Sequence, residues 1–341
     1  MIYINCPLYK LNSKKKLKHV LGIMDSRYLK QDFISASVSP YIEINAEGKQ
    51  RLIEPPSRKL KGIQTRIKNM LGQIDDVPDY VFSGIRKRSY VGNARAHEGK
   101  LHLFKIDLTA FFPSIKRDSV YRFFKEELCC SPDIAKILTN FTTIDLQKAK
   151  IKDEASVFSF LATKRTNTFN HLISGAPTSS ILSYLTNRKM FEELNAFAAR
   201  NNAVMTIYVD DIAFSGKCSL SRQFRGSVIQ IIRKYGYQIS QSKVKGYSKN
   251  YAKLVTGVII DASGKLAIKN SLRLKIVTEH KKLRDNPNDT PCRQRLRGLV
   301  TAARQVDGTS YPTMHKYAFS RPPEPQEAPD EKTDVTAWSA G

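Results

Sequence analysis

Acidic side chains are scarce in this sequence: 31 Asp and Glu stand against 56 Lys and Arg in 341 residues, a formal net charge of +25. So large an excess repels itself in a compact body unless a polyanion shares the surface, which points to nucleic acid as partner. On charge alone, a soluble basic protein or a binder of membrane surfaces remains the other reading. No stretch of about 18 apolar residues occurs, and residues 1–18 lack an apolar segment behind their charges. No membrane span or secretory leader is therefore expected, and the chain reads as cytoplasmic. The five cysteines, Cys6, Cys129, Cys130, Cys218 and Cys292, show no zinc-site spacing and read as reduced, mostly buried thiols. There is no internal repeat. The one low-complexity segment, residues 321–341, is rich in proline and acid, and it is expected to be a disordered tail without chemistry.

What remains is an ordinary globular composition, 41% hydrophobic and 9% aromatic, enough for one body with two or three subdomains. A basic helical stretch opens the chain. A hairpin follows, with strands at 41–44 and 51–54 and a turn at 45–48, closed by Pro55 and Pro56. Apolar residues at Leu60, Ile63, Ile67, Met70, Leu71 and Ile74 predict an amphipathic helix over 60–74, with Lys59, Lys61, Arg66 and Lys68 on its other face. Residues 101–108 and 205–214 read as buried strands, and 181–197 as a helix after the loop 174–180.

The decisive run is Ile207-Tyr208-Val209-Asp210-Asp211-Ile212-Ala213-Phe214. Adjacent aspartates among β-branched and aromatic residues are costly in a sheet, because two close like charges cannot both stay ionised without a cation. A tight turn at a strand junction would expose them, and there hard carboxylate oxygens suit magnesium. A surface hairpin with Asp-Asp at its tip is the plainer reading of the dipeptide alone. Asp107, in Phe104-Lys105-Ile106-Asp107-Leu108, supplies the third carboxylate that a two-metal site needs. Two such ions, about 3.5 to 4 Å apart, activate a sugar hydroxyl and stabilise leaving pyrophosphate.

The Tyr208-Val209-Asp210-Asp211 box, the segment Asp107-Leu108-Thr109-Ala110-Phe111-Phe112-Pro113-Ser114-Ile115 and the loop Ser174-Gly175-Ala176-Pro177-Thr178-Ser179 resemble reverse transcriptases in order and spacing, over about residues 51–261. Asn93-Ala94-Arg95-Ala96-His97 matches the Asn-Ala-x-x-His signature of the retron enzymes, and Val255-Thr256-Gly257 matches their Val-Thr-Gly signature. The resemblance implies a mixed α/β (α+β) right-hand polymerase fold without a ribonuclease H domain, for which the length leaves no room. Its parts would be a basic helical segment (1–29), fingers (30–100), a palm carrying the catalytic aspartates (101–262), an RNA-binding thumb (263–320) and the tail (321–341). It further implies two Mg2+ ions on Asp107, Asp210 and Asp211, deoxynucleoside triphosphates as substrates, and a structured non-coding RNA as template. Priming would start from a guanosine 2′-hydroxyl and yield a branched RNA–DNA hybrid, with a separate effector protein restrained in an antiphage system.

Other roles follow by matching the same segments. Phe112 falls where an aromatic side chain packs under the incoming sugar, although a core phenylalanine beside Phe111 reads equally well. Arg51 and Arg58 fall where basic side chains grip a triphosphate, for which the planar guanidinium fork is suited, unless they face template phosphate instead. Lys243 falls where a lysine protonates pyrophosphate, with a solvated lysine as the alternative. His97 and Asn93 are read as lying on a polar loop and serving RNA or fold. Thr256 and Gly257 are read as part of a strand leading to the thumb, where glycine permits close approach of an RNA backbone. Lys269, Arg273, Lys275, Lys281, Lys282, Arg284, Arg293, Arg295 and Arg297 are read as one basic surface.

Three departures stand out: Ser174 replaces a usual glutamine, Ser180 a frequent proline, and Val209 replaces an alanine and is expected to be tolerated in a strand. Another bacterial reverse transcriptase class, of group II intron, diversity-generating or abortive-infection type, or a nucleic-acid scaffold restraining an effector, are the competing readings.

Overall fold

The computed structural model describes residues 1–45, 48–99 and 101–321, so the expectation for the tail falls outside the described residues from position 322 onward. The chain divides into two compact units, Met1–Leu266 and Ala267–Gly341. The first is a mixed α/β body. The strands that frame its site are, in chain order, β1 (Tyr41–Ile44), β2 (Gln50–Ile53), β3 (His102–Asp107), β4 (Thr143–Asp145), β5 (Asn170–Leu172), β6 (Val204–Tyr208), β7 (Asp211–Gly216), β8 (Lys245–Tyr247), β9 (Lys253–Val255) and β10 (Val258–Ile260).

At its centre is a four-stranded antiparallel sheet in the order β6–β7–β3–β8. Phe104 of β3 and Phe214 of β7 are register partners, stack at 6.0 Å and are fully buried, so the aromatic pair pins the two central strands to one alignment. A one-residue slip would turn these rings to the opposite face, and with them the carboxylates at the strand ends.

The amphipathic segment forms the helix Arg58–Leu71. Ser57 caps it by accepting from Leu60 N, and Leu60, Ile63, Ile67, Met70 and Leu71 fill its buried stripe. It stops at Gly72 rather than running to Ile74, which is nonetheless buried. The expected helix over 181–197 is in fact two, Ser179–Leu185 and Arg188–Arg200. The break falls at Asn187, whose side chain donates to Ser183 O at 2.9 Å and accepts from Tyr237 OH at 2.6 Å. Such side-chain bonding competes with the helical ladder, which hydrophobic periodicity does not register.

Three of the cysteines, Cys6, Cys130 and Cys292, are buried, whereas Cys129 and Cys218 are exposed. No helix among the described residues is long and apolar enough to cross a membrane.

In the second unit, helices Asn270–Asp285, Thr290–Val306 and Pro312–Phe319 pack around Ile276, Leu283, Leu296, Val300 and Ala303. Most of the basic residues expected on one surface here are exposed, but Arg293 is buried and Arg297 half-buried. Arg293 donates to the carbonyls of Pro287, Tyr317 and Ser320, and Arg297 donates to Ala318 O. Arg295 and Lys282 pair with Glu279. Helix-end carbonyls need donors, and arginine supplies several at once.

Candidate active site

The run 205–214 is two strands, not one. β6 ends at Tyr208 and β7 begins at Asp211, with Val209 and Asp210 in the tight turn between them. Val209 is not in a strand: it adopts φ 60°, the left-handed region that strains a β-branched residue. Antiparallel register sets Asp107, the last residue of β3, opposite Asp211, and Leu108 N donates to Asp210 O at 3.0 Å. Backbone geometry thus gathers three carboxylates at one end of the sheet.

Two lysines close on them. Lys105 Nζ lies 2.7 Å from Asp211 Oδ2, and Lys243 Nζ lies 2.5 Å from Asp107 Oδ2. Lys105 stands two residues before Asp107 on the same strand, so both side chains leave the same face. The two-residue spacing is legible in the sequence, but the partner of Lys105 is not. Lys243 arrives differently. Residues 238–240 pair with the end of β3 through Thr109 N to Gln238 O and Ser240 N to Asp107 O, and a short turn at Gln241–Lys243 then delivers the ammonium.

Burial, and after it the charge of Asp107, push the Asp210 carboxyl up to about 6. Asp211 is raised by burial against the opposing pull of Lys105. These are carboxylates that fold against their own solvation, the usual mark of a functional site. Asp211 Oδ1 is buried without a hydrogen-bond partner. An orphaned acceptor beside two half-buried or buried carboxylates fits a hard divalent cation. No group of three or more Asp, Glu, His or Cys side chains converges as a ready-made metal site among the described residues.

Phe112 is half-buried in a short helical turn, Phe111–Ser114, with its ring 6.1 Å from that of the buried Phe111. Arg51 on β2 and Arg58 at the start of its helix are exposed, and no hydrogen bond or ion pair among the described residues links either to the aspartates.

The two retron signatures depart most from expectation. Asn93, Ala94 and His97 do not lie on an exposed polar loop. Asn93 and Ala94 belong to the helix Tyr90–Arg95, capped by Ser89, and all three are buried. His97 Nδ1 lies 2.7 Å from Ser215 Oγ of β7 and Nε2 lies 2.7 Å from Thr206 Oγ1 of β6, so the ring bonds to both strands of the hairpin that carries Asp210 and Asp211. Burial holds its imidazole down at about 4, hence neutral. Thr256 and Gly257 are not strand residues: they form the turn between β9 and β10, with φ of 44° and 86°, after the buried Val255. The alternation pattern missed this because a two-residue turn between short apolar strands reads as one strand.

The family model for reverse transcriptase (RNA-dependent DNA polymerase) matches residues 39–271. The Retron Se72 reverse transcriptase of Salmonella heidelberg (strain 579083-10) is 27% identical over 246 residues, 70% of this chain and 57% of that protein. The Retron Ec83 reverse transcriptase of Escherichia coli is 26% identical over 265 residues, 75% of this chain and 79% of that protein. The chain thus spans just over half the length of the first of these relatives. Among solved structures, the telomerase from Candida albicans in complex with a TWJ fragment of telomeric RNA aligns over 86% of this chain and 57% of its own, with TM-score 0.46 and 11% identity. The family match covers the hairpin β1–β2, the three aspartates and both signatures, and the chain belongs to the reverse transcriptase family.

Proposed function

We propose that the chain is the RNA-directed DNA polymerase of a retron, which copies a cognate structured non-coding RNA from a guanosine 2′-hydroxyl into a branched RNA–DNA hybrid. The observation that carries the reading is the meeting of Asp107, Asp210 and Asp211 at one end of the sheet, with a lysine on each of two of them. In this reading residues 30–100 are fingers, 101–262 the palm and 263–320 an RNA-gripping thumb.

The family implies a divalent metal requirement. Asp107 and Asp210 would hold two Mg2+ ions, with Asp211, paired with Lys105, in a weaker role. When bound, the ions supply Lewis acidity for the attacking hydroxyl and the leaving pyrophosphate. Lys243 keeps a proton at Nζ beside Asp107, placed for delivery to the leaving group. Phe112 presses on the sugar and excludes a ribose 2′-hydroxyl, and Arg51 and Arg58 bind triphosphate oxygens. A separate effector protein, held in check by enzyme and product, completes an antiphage system, with residues 321–341 as its contact.

Co-expression with the neighbouring non-coding RNA tests this. The bound nucleic acid is analysed before and after ribonuclease and debranching treatment, with Asp210→Asn as control. Branched DNA that vanishes in the control is the expected result. Unbranched DNA keeps the polymerase and removes the retron priming, and RNA bound without any DNA made, given magnesium and deoxynucleotides, leaves a scaffold.

A further inference from the structure

Behind the hairpin β1–β2 lies a carboxylate that the site described above does not use. Glu54, just past β2, and His171 of β5 are both fully buried, with Glu54 Oε1 and His171 Nε2 2.9 Å apart. His171 Nδ1 lies 3.0 Å from Thr168 O. A carbonyl oxygen only accepts, so Nδ1 carries a proton. One further proton sits between Nε2 and Oε1, since two bare acceptors would repel at that distance. Whichever atom holds it, the pair is neutral overall, which is how a carboxylate is tolerated at this depth.

The same carboxylate ties down the loop 174–179. Glu54 Oε2 accepts from Ser174 N at 2.6 Å, and Glu54 N donates to Ser174 O at 3.0 Å. Ser174 Oγ donates to Leu52 O at 3.1 Å. Ser174 therefore commits its hydroxyl to the hairpin. β2, which bears Arg51, and the loop 174–179 are knitted together, and none of these bonds reaches Asp107, Asp210 or Asp211.

We infer that the Glu54–His171 pair is a positioning device for the incoming deoxynucleotide, which holds the Arg51 hairpin and the loop 174–179 at one spacing. The inference rests on the polymerase reading. The aspartates are carried by β3 and the β6–β7 turn, so losing the pair weakens nucleotide binding and leaves the chemical step intact.

The test is steady-state extension of oligo(dT) on poly(rA) with dTTP and MgCl2 by the purified full chain. Glu54→Ala raises the KM for dTTP by about tenfold, the equivalent of one or two buried hydrogen bonds, with kcat changed by no more than about twofold. Glu54→Gln stays near wild type, because its amide oxygen accepts from Ser174 N while its NH2 donates to a neutral His171 Nε2. Ser174→Ala, which removes only the hydroxyl bond, raises KM by about threefold and decides the matter if Glu54→Ala does not fold. An unchanged KM in Ser174→Ala, or a fall in kcat and unfolding temperature with KM unmoved in Glu54→Ala, overturns the inference and leaves the pair a structural prop. A wild type that extends no primer removes the polymerase reading and the inference with it, a result distinct from an active wild type with indifferent variants.

Discussion

Asn93 and Thr256, 163 residues apart, are bonded side chain to side chain: Asn93 Nδ2 donates to Thr256 Oγ1 at 3.2 Å, and that hydroxyl donates onward to Tyr90 O at 3.0 Å. The two segments that match the Asn-Ala-x-x-His and Val-Thr-Gly signatures thus touch each other. Thr256→Val keeps the shape and removes the relay, leaving the Asn93 amide without its partner. Urea unfolding is expected to show a loss of about 1–2 kcal/mol, with Thr256→Ser near wild type. Equal stability of the two variants would remove the relay as a brace.

His97 makes folding pH-dependent. Its pKa in the fold, about 4, lies below the ordinary 6.5 because burial disfavours the charged ring. Between these values the unfolded chain binds more protons than the folded one, so stability is full above about pH 6.5 and declines as pH falls toward 4. The loss approaches roughly 3 kcal/mol. Chemical denaturation at a series of pH values should show this slope in the wild type and lack that component in His97→Gln. Parallel curves would mean the ring does not titrate in this window.

Asp210→Asn removes a half-buried charge that faces Asp107. Polymerisation is expected to fall by about a thousandfold or more, while stability in EDTA rises by about 1 kcal/mol. Such opposition between activity and stability distinguishes a functional carboxylate from a structural one. A variant that loses both would assign Asp210 to the fold.

Phe112→Val separates selection from packing. A ring that presses on the sugar, once shortened, admits ribonucleotides, and discrimination between dTTP and UTP is expected to drop by about tenfold or more. Loss of stability with unchanged discrimination would make Phe112 a core residue beside Phe111.

Much of this architecture could be read along the chain, and the failures have physical causes. The hairpin β1–β2, the strand that carries Asp107 and the helix Arg58–Leu71 announce themselves through period and turn chemistry, which are local properties. Val209 was misjudged because nothing in its neighbours states that its φ is positive. Arg293 was misjudged because a buried arginine bonded to carbonyls looks, in sequence, like any surface arginine.

The sequence by itself determined the family and the identity of the three aspartates, because motif order and residue type survive without coordinates. Only the tertiary structure decided what each polar group faces. It placed Lys105 on Asp211, bonded His97 to both strands of the β6–β7 hairpin, joined Asn93 to Thr256 and buried Glu54 against His171. These contacts link residues far apart in the chain, and their energies come from desolvation and hydrogen-bond geometry, quantities that exist only once the chain has closed on itself.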